Sequence, residues 1–223
     1  MSKSSAKDSP NAPRQLKPRR RTQEERRTET RHKLLEATIA LLIERGYAGL
    51  TVDDVSSYSG LTNGARAHHF ATKLDLIVET FKYLYHPVIE SSRESAAAAR
   101  NDPDPIGAFF HHSARIFLIP QAVAFNELMM GARTDVALRE RILPLIDMQH
   151  QDVHLPWIEM LTERGYPREL VEKMMIATMF FFRGVATDPL TDTSSPDVQT
   201  LIGFWREQVT NGVQTSPSAA LNG

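Results

Sequence analysis

The stretch that decides the fold is residues 51–70, which read TVDDVSSYSGLTNGARAHHF. Thr51 precedes two acidic residues and Thr62 opens a second segment, and threonine in such a position is a typical helix start. Gly60 lies between the two segments, where a tight turn requires a backbone conformation that side chains disfavour. Two short helices joined by a glycine turn are typical of a helix-turn-helix, whose second helix enters the DNA major groove.

Helical patterns continue on both sides of this stretch. Before it, Leu35, Ile39 and Leu42 recur at spacings of three and four and predict a helix that ends at Gly46. After it, Thr72 starts a long helix that is predicted to end near residue 100.

Prolines mark the helix starts in the second half of the chain. The pairs Asp104-Pro105, Ile119-Pro120 and Tyr166-Pro167 each place a proline at or near a first helical position, as does Pro196. Pro144 and Pro156 predict kinks or breaks within the segment 135–164. Because no sustained strand alternation occurs, we predict an all-α protein of about nine helices.

The charges are distributed unevenly. The chain has 223 residues and a formal net charge of −1, yet residues 1–33 hold 11 lysines and arginines against four acids. Residues 1–27 are rich in Ser, Pro, Lys and Arg and are predicted to be a disordered basic arm. Such an arm indicates contact with a polyanion, with a tail that merely solubilises the terminus as the alternative.

Several classes of protein are excluded by composition. Without cysteine there is no disulfide, zinc-thiolate site or cysteine nucleophile. The most apolar run, 174–182, is far shorter than a membrane span, so we expect no membrane contact and a cytoplasmic location. No glycine-rich phosphate loop or Gly-x-Ser-x-Gly elbow is present, so neither an enzyme nor a cofactor is predicted.

His150 and His154 are a candidate pair of metal ligands, because imidazoles four residues apart share a helix face. No glutamate follows His150, as it would in a metalloprotease, and Pro156 disturbs the local helix. No metal site is therefore predicted.

Residues 31–82 resemble the DNA-binding domain of the TetR family of transcriptional regulators. The resemblance rests on ERGY (44–47), TVDDV (51–55), SGLT (59–62) and GARAHHFATKLDL (64–76). The chain departs from the family at Ala67, where a tyrosine usually supplies a phosphate-contacting hydroxyl. It also departs at Arg66, where an apolar residue is common.

The predicted DNA contacts lie on two helix starts and one short helix. The N–H groups at the starts following Thr51 and Thr62 point at anions, and Lys73 matches the family's phosphate-binding lysine. Asn63 and Arg66 share a helix face and could read bases, with a solvated or intramolecular ion-paired side chain as the alternative for Arg66. The candidate DNA-binding residues are Thr51, Thr62, Asn63, Gly64, Ala65, Arg66, His68 and Lys73.

The resemblance implies a domain division. Residues 28–88 would form the helix-turn-helix domain, and residues 89–223 a helical domain that binds an effector and dimerises. Apolar residues in two segments could pack against the same residues of a second, twofold-related chain, or they could be ordinary core of one chain. They are Met174, Met175, Thr178, Met179, Phe181, Phe182 and Val185, and Leu201, Ile202, Phe204, Trp205 and Val209.

A pocket for a small, partly apolar or aromatic effector is predicted in the same domain. Aromatic and methionine side chains at helical spacing could line it, although such residues are more often plain core. The candidate ligand-binding residues are Phe109, His112, Phe117, Phe125, Met129, His150, His154 and Trp157.

Together these features predict a ligand-responsive transcriptional regulator. The resemblance implies a repressor that binds a palindromic double-stranded operator as a homodimer and is released by a small-molecule effector. The alternative is an all-helical small-molecule or metal-binding protein with a degenerate helix-turn-helix, which Ala67 favours. Activation instead of repression is not distinguishable from the sequence.

Overall fold

The computed structural model describes residues 22–188, 192 and 194–214, without the side chains of residues 149, 150 and 214. Within these residues the chain forms nine helices and no strand, which confirms the all-α prediction. The helices are α1 (Gln23–Gly49), α2 (Val52–Ser59), α3 (Asn63–His69), α4 (Lys73–Ala99), α5 (Pro105–Phe117), α6 (Pro120–Gly131), α7 (Val136–Glu163), α8 (Arg168–Thr187) and α9 (Pro196–Gln214).

Three helices begin with the same capping device. A threonine hydroxyl accepts the N–H of an acidic residue three positions later, whose carboxylate accepts the N–H of the threonine. Thr51 and Thr72 cap α2 and α4 in this way, as predicted. Thr22 does the same with Glu25, so residues 23–27 are helical and the prediction of disorder there is wrong. Residues 1–21 of the predicted arm lie outside the described residues.

Two glycines with positive φ shape the helix-turn-helix region. Gly46 has φ 69° and ψ 176°, which interrupts α1 where its end was predicted, although the helix resumes as far as Gly49. Gly60 has φ 69° and closes α2 in the left-handed conformation, which confirms the predicted turn.

The predicted breaks in α7 are wrong. The helix continues across Pro144 and Pro156 from Val136 to Glu163. Its buried face, which includes Leu138, Ile142 and Val153, packs along α4 on both sides of the prolines. This packing offsets the hydrogen bonds that each proline removes.

The buried side chains form two hydrophobic cores. The first joins α1, α2 and the start of α4 to α6 and much of α7. The second joins the end of α4 to α5, the rest of α7, α8 and α9. The helix α4 passes through residue 88 without interruption, and the first core has members on both sides of that residue. Among the described residues, no helix combines the length and the apolar content that crossing a bilayer demands.

Candidate nucleic-acid interface and adjoining cavity

The short helix α3 presents a polar surface. Thr62 caps it by accepting the N–H of Ala65 at 3.1 Å, and none of its seven residues is buried. Asn63, Gly64 and His68 are exposed, whereas Ala65 is half-buried. The helix is held by the buried side chains of Val55 before it and Phe70 after it. Exposed Thr51 caps the neighbouring α2.

Asn63 is oriented by a neighbouring acid. Its side-chain amide donates to Oδ1 of Asp53, in the first turn of α2, at 2.8 Å. Both side chains are exposed, so the bond fixes the direction of the amide at the surface of α3.

Arg66 is turned inward in this structure, and its predicted contact with a base stays a prediction. Its Nη1 donates to the carbonyl oxygen of Phe70 at 2.8 Å, and its Nε is buried. The last carbonyl groups of a helix lack intrahelical partners, and an arginine four residues earlier can reach them. In this conformation Arg66 closes α3 through a backbone carbonyl, and not through an ion pair.

The two histidines of α3 differ in their surroundings. His68 is exposed, whereas His69 is half-buried. Burial lowers the pKa of His69, and the charges of His68, Arg27 and Arg31 lower it further. His69 is therefore a packed, predominantly neutral imidazole, and His68 is the one that faces solvent.

Tyr47, at the kinked end of α1, connects the helix-turn-helix to α6 and α7. Its N–H donates to Glu127 at 3.1 Å, its hydroxyl donates to Asp135 at 2.6 Å, and its ring packs on Gly131. Lys73 donates to the Tyr47 carbonyl oxygen at 3.2 Å and lies 4.6 Å from the ring centroid. We call these five residues the Tyr47 junction.

Electrostatics within the Tyr47 junction favour the observed bonds. The hydrogen bond from the Tyr47 hydroxyl lowers the pKa of Asp135, whose carboxylate also caps α7 through the N–H of Leu138. Burial lowers the pKa of Lys73, and the nearby charge of Asp135 opposes that change. An ammonium has three N–H donors, so the bond to Tyr47 leaves Lys73 able to meet an anion.

A cavity of about 490 Å³ lies among α4, α5, α6, α7 and α8. Most of the predicted ligand-binding residues line it, namely Phe109, His112, Phe117, Phe125, His154 and Trp157. Met129 does not line it and packs against the first core instead, because the turn of α6 after Phe125 lies on α1. The side chain of His150 lies outside the described residues.

Two polar side chains of the cavity are buried without hydrogen-bond partners among the described residues. His112 is 2% exposed and neither ring nitrogen is paired, and Trp157 is 1% exposed with an unpaired Nε1. Burial lowers the pKa of His112 to about 4, and the charge of Arg115 contributes. The described residues contain no cluster of three or more His, Asp or Glu side chains that could hold a metal ion.

Comparison with known proteins assigns the helix-turn-helix to a family. Residues 34–80 match the family model described as bacterial regulatory proteins, tetR family. The helix-turn-helix-type transcriptional regulator CymR of Pseudomonas putida is 35% identical over 175 residues, which cover 78% of this chain and 86% of CymR. The chain belongs to the TetR family. It is a helix-turn-helix transcriptional regulator, and its named relatives are regulators and not enzymes.

Similarities to other regulators extend along the chain. A helix-turn-helix-type regulator of Mycobacterium tuberculosis is 29% identical over 152 residues, covering 66% of this chain and 78% of the relative. A crystal structure of a transcriptional regulator from Rhodococcus has a TM-score of 0.65 at 16% identity and covers 84% of this chain and 99% of that chain. A TetR-family regulator from Marinobacter aquaeolei has a TM-score of 0.58 at 15% identity, with coverage of 83% and 97%. At these identities the two structures support the fold alone.

The outer face of α8 and α9 exposes large apolar side chains. Phe180 and Phe204 are 60% and 57% exposed, and Ile176 and Leu201 are about half exposed. Leu201 and Phe204 belong to the residues that the sequence offered for pairing in a dimer, whereas Met174 and Phe182 of the same predicted set are buried in the second core. The latter two residues follow the alternative interpretation of ordinary core, because they lie on the face of α8 that packs on α5 and α7. We call Ile176, Phe180, Leu201 and Phe204 the outer apolar face.

The sequence does not reveal the roles of Tyr47, Glu127 and Arg183. Tyr47 belongs to the stretch ERGY, but its partners Glu127 and Asp135 lie 80 and 88 residues further along the chain. The stretch GARTD at residues 131–135 supplies both Gly131 and Asp135 to the Tyr47 junction. Nothing local marks Arg183 as a cavity residue.

The close contact at Gly131 gives a stability prediction. A Cβ there would overlap the Tyr47 ring, so we expect Gly131→Ala to lower the free energy of unfolding by about 1–3 kcal/mol. Gly203→Ala in α9 is the control, because a Cβ there meets open space and should stabilise by up to about 1 kcal/mol. Urea unfolding followed by circular dichroism measures both. A Gly131→Ala protein as stable as the unaltered one would show that Tyr47 is not tightly packed.

Proposed function

We propose that this regulator is a repressor that binds a palindromic operator as a homodimer and releases it when a small molecule occupies the cavity. The observation that carries the proposal is the position of α6. It lines the cavity through Ala122 and Phe125, and its last turns contact the end of α1 through Glu127 and Gly131. One helix thus touches both the cavity and the helix-turn-helix.

The proposed DNA contacts divide into phosphate and base contacts. The helix starts at Thr51 and Thr62, with Lys73 and exposed His68, would meet phosphate oxygens. Asn63 would read an adenine edge, and small Gly64 and Ala65 would allow the backbone to approach the duplex. A base contact from Arg66 would first require release of its bond to Phe70.

The proposed assembly and domain roles follow from the exposed surfaces. Residues 28–88 would bind DNA, and residues 89–223 would bind the effector and dimerise through the outer apolar face. A twofold dimer would place two α3 helices in successive major grooves, about 34 Å apart. The cytoplasm, where operator DNA lies, is the proposed place of action.

Release of the operator needs only a modest coupling free energy. A molecule that favours a dimer with a different α3 separation by about 1–3 kcal/mol would lower operator affinity about 5- to 150-fold. Both α4, which runs from the helix-turn-helix past the cavity, and α6 could carry this change.

Selection of bound duplexes from a random DNA pool tests the function. We expect enrichment of one palindrome. In Asn63→Ala, the preference for the correct base over other bases at one symmetric pair of operator positions should fall about 5- to 150-fold. The control is Asn101→Ala, since Asn101 is exposed just beyond the end of α4, about 40 Å along that helix from its start. A pool in which no sequence is enriched would contradict the regulator function, and unchanged discrimination in Asn63→Ala would contradict base reading by Asn63.

A further inference from the structure

Arg183 of α8 is a cation without an acidic partner among the described residues. It is half-buried and lines the cavity, its Nε is buried without a hydrogen bond, and its guanidinium carbon lies 5.8 Å from the centroid of the Phe125 ring. Burial lowers the pKa of Arg183, which reflects the unfavourable environment for its charge. A charge in such surroundings normally has a paired counter-ion.

The rest of the lining does not supply that counter-ion. Among the described residues around the cavity, Glu36 is the single acidic one, and its carboxylate accepts the hydroxyl of Tyr83 at 2.5 Å. The side chains of Tyr85, Met175 and Met179 contribute an aromatic and apolar wall. The cavity therefore combines an apolar interior with an unpaired guanidinium.

An unpaired guanidinium in an apolar cavity favours one chemical class of ligand. A guanidinium presents two parallel N–H donors that match a carboxylate, and such charge-assisted bonds are about twice as strong as neutral ones. The cavity volume of about 490 Å³ is within the usual range for small-molecule sites. The unpaired nitrogens of His112 and Trp157 offer further hydrogen bonds to a polar group of the ligand or to a water molecule.

We propose that the effector is an organic acid, with a compact, mostly apolar or aromatic body and a carboxylate that pairs with Arg183. This inference rests on the proposed function in taking the cavity as the effector site. It adds the charge of the ligand and the residue that recognises it.

Three matched pairs of probes test the inference on the full-length protein. They are octanoate and octanamide, 4-phenylbutanoate and 4-phenylbutanamide, and 2-naphthoate and 2-naphthamide. Isothermal titration and thermal unfolding at neutral pH measure binding. We expect at least one acid to bind about tenfold or more tightly than its amide, because the amide lacks the charge-assisted bond.

Substitutions then assign the preference to one side chain. Arg183→Met should bring acid and amide to nearly equal affinity, and Arg183→Gln provides the same test if the methionine variant does not fold. Arg168→Met is the matched control, because Arg168 is an exposed arginine of the same helix that pairs with Glu172 and does not line the cavity, so its loss should leave the preference intact.

Three results would overturn the inference: amides that bind the unaltered protein as tightly as the acids, a preference that survives removal of Arg183, or a panel in which no acid binds. Operator selection uses the protein without ligand, so enrichment of a palindrome together with one of these results would overturn the organic acid and leave the regulator function. A preference for acids over amides without enrichment of any DNA sequence would support the organic acid and contradict the regulator function.

Discussion

Phe180→Glu combined with Phe204→Glu is expected to convert the proposed dimer into a monomer of about 25 kDa. Both rings are more than half exposed on the outer apolar face. Complete burial of an exposed phenylalanine contributes about 1.5–3 kcal/mol, so burial of the exposed part of each ring contributes about 1–2 kcal/mol. A twofold interface contains both rings of both protomers. Loss of these four rings then costs roughly 4 kcal/mol or more, which is about three powers of ten in the dimer dissociation constant.

Operator affinity should fall when the dimer dissociates into monomers. A monomer engages one half-site and loses the effective concentration of the second, so we expect at least about a hundredfold weaker binding. Sedimentation equilibrium and operator titration measure the two effects. Leu143→Glu is the control, because Leu143 is equally apolar and half exposed but belongs to α7. A double variant that stays dimeric would place the interface on another surface.

The stability of the ligand-free protein is expected to fall between pH 6.5 and 4 because of His112. Burial lowers the pKa of His112 from 6.5 to about 4, so the unfolded chain takes up a proton at a higher pH than the folded chain. The contribution of the neutral imidazole is complete above pH 6.5 and is lost as the pH falls toward 4. At about 1.4 kcal/mol per pKa unit, this loss is about 3 kcal/mol.

Adjacent residues provide the matched comparison. His112→Gln removes the buried imidazole and should flatten this part of the pH profile. His111→Gln replaces an exposed imidazole whose charge is the smallest of the three causes of the lowered His112 pKa, so it should preserve most of the fall. Urea unfolding at intervals between pH 4 and pH 7.5 or so gives the profile. Parallel profiles for the unaltered protein and His112→Gln would show that the pKa of His112 is the same in the folded and unfolded states, and so would contradict its burial as a neutral group.

The helix-turn-helix could be predicted from the sequence because its determinants are local. The caps at Thr51 and Thr62 act over three residues, and the turn at Gly60 depends on the conformation of one residue. Interactions of this range are visible in a short stretch of sequence. The helix starts at prolines could be predicted for the same reason.

The features that could not be predicted depend on residues far apart in the chain. Arg66 is an exception, because its partner Phe70 is only four residues away, but the spacing that places Arg66 on the same face as Asn63 does not give the direction of its side chain. The continuity of α7 depends on its packing against α4, which outweighs two prolines. Arg183 belongs to the cavity only because α8 packs beside α6, about 60 residues earlier in the chain.

The shared first core has a consequence for the construction of hybrid regulators. Ala124, Leu128 and Leu138 pack in one cluster with Leu42 and Phe81, across the point at which the two functions are expected to divide. A chimera joined near residue 88 would place foreign side chains against half of that cluster. Exchange of DNA specificity should therefore succeed better when only the surface residues of α3 are grafted, or when α6 is transferred together with α1 to α4.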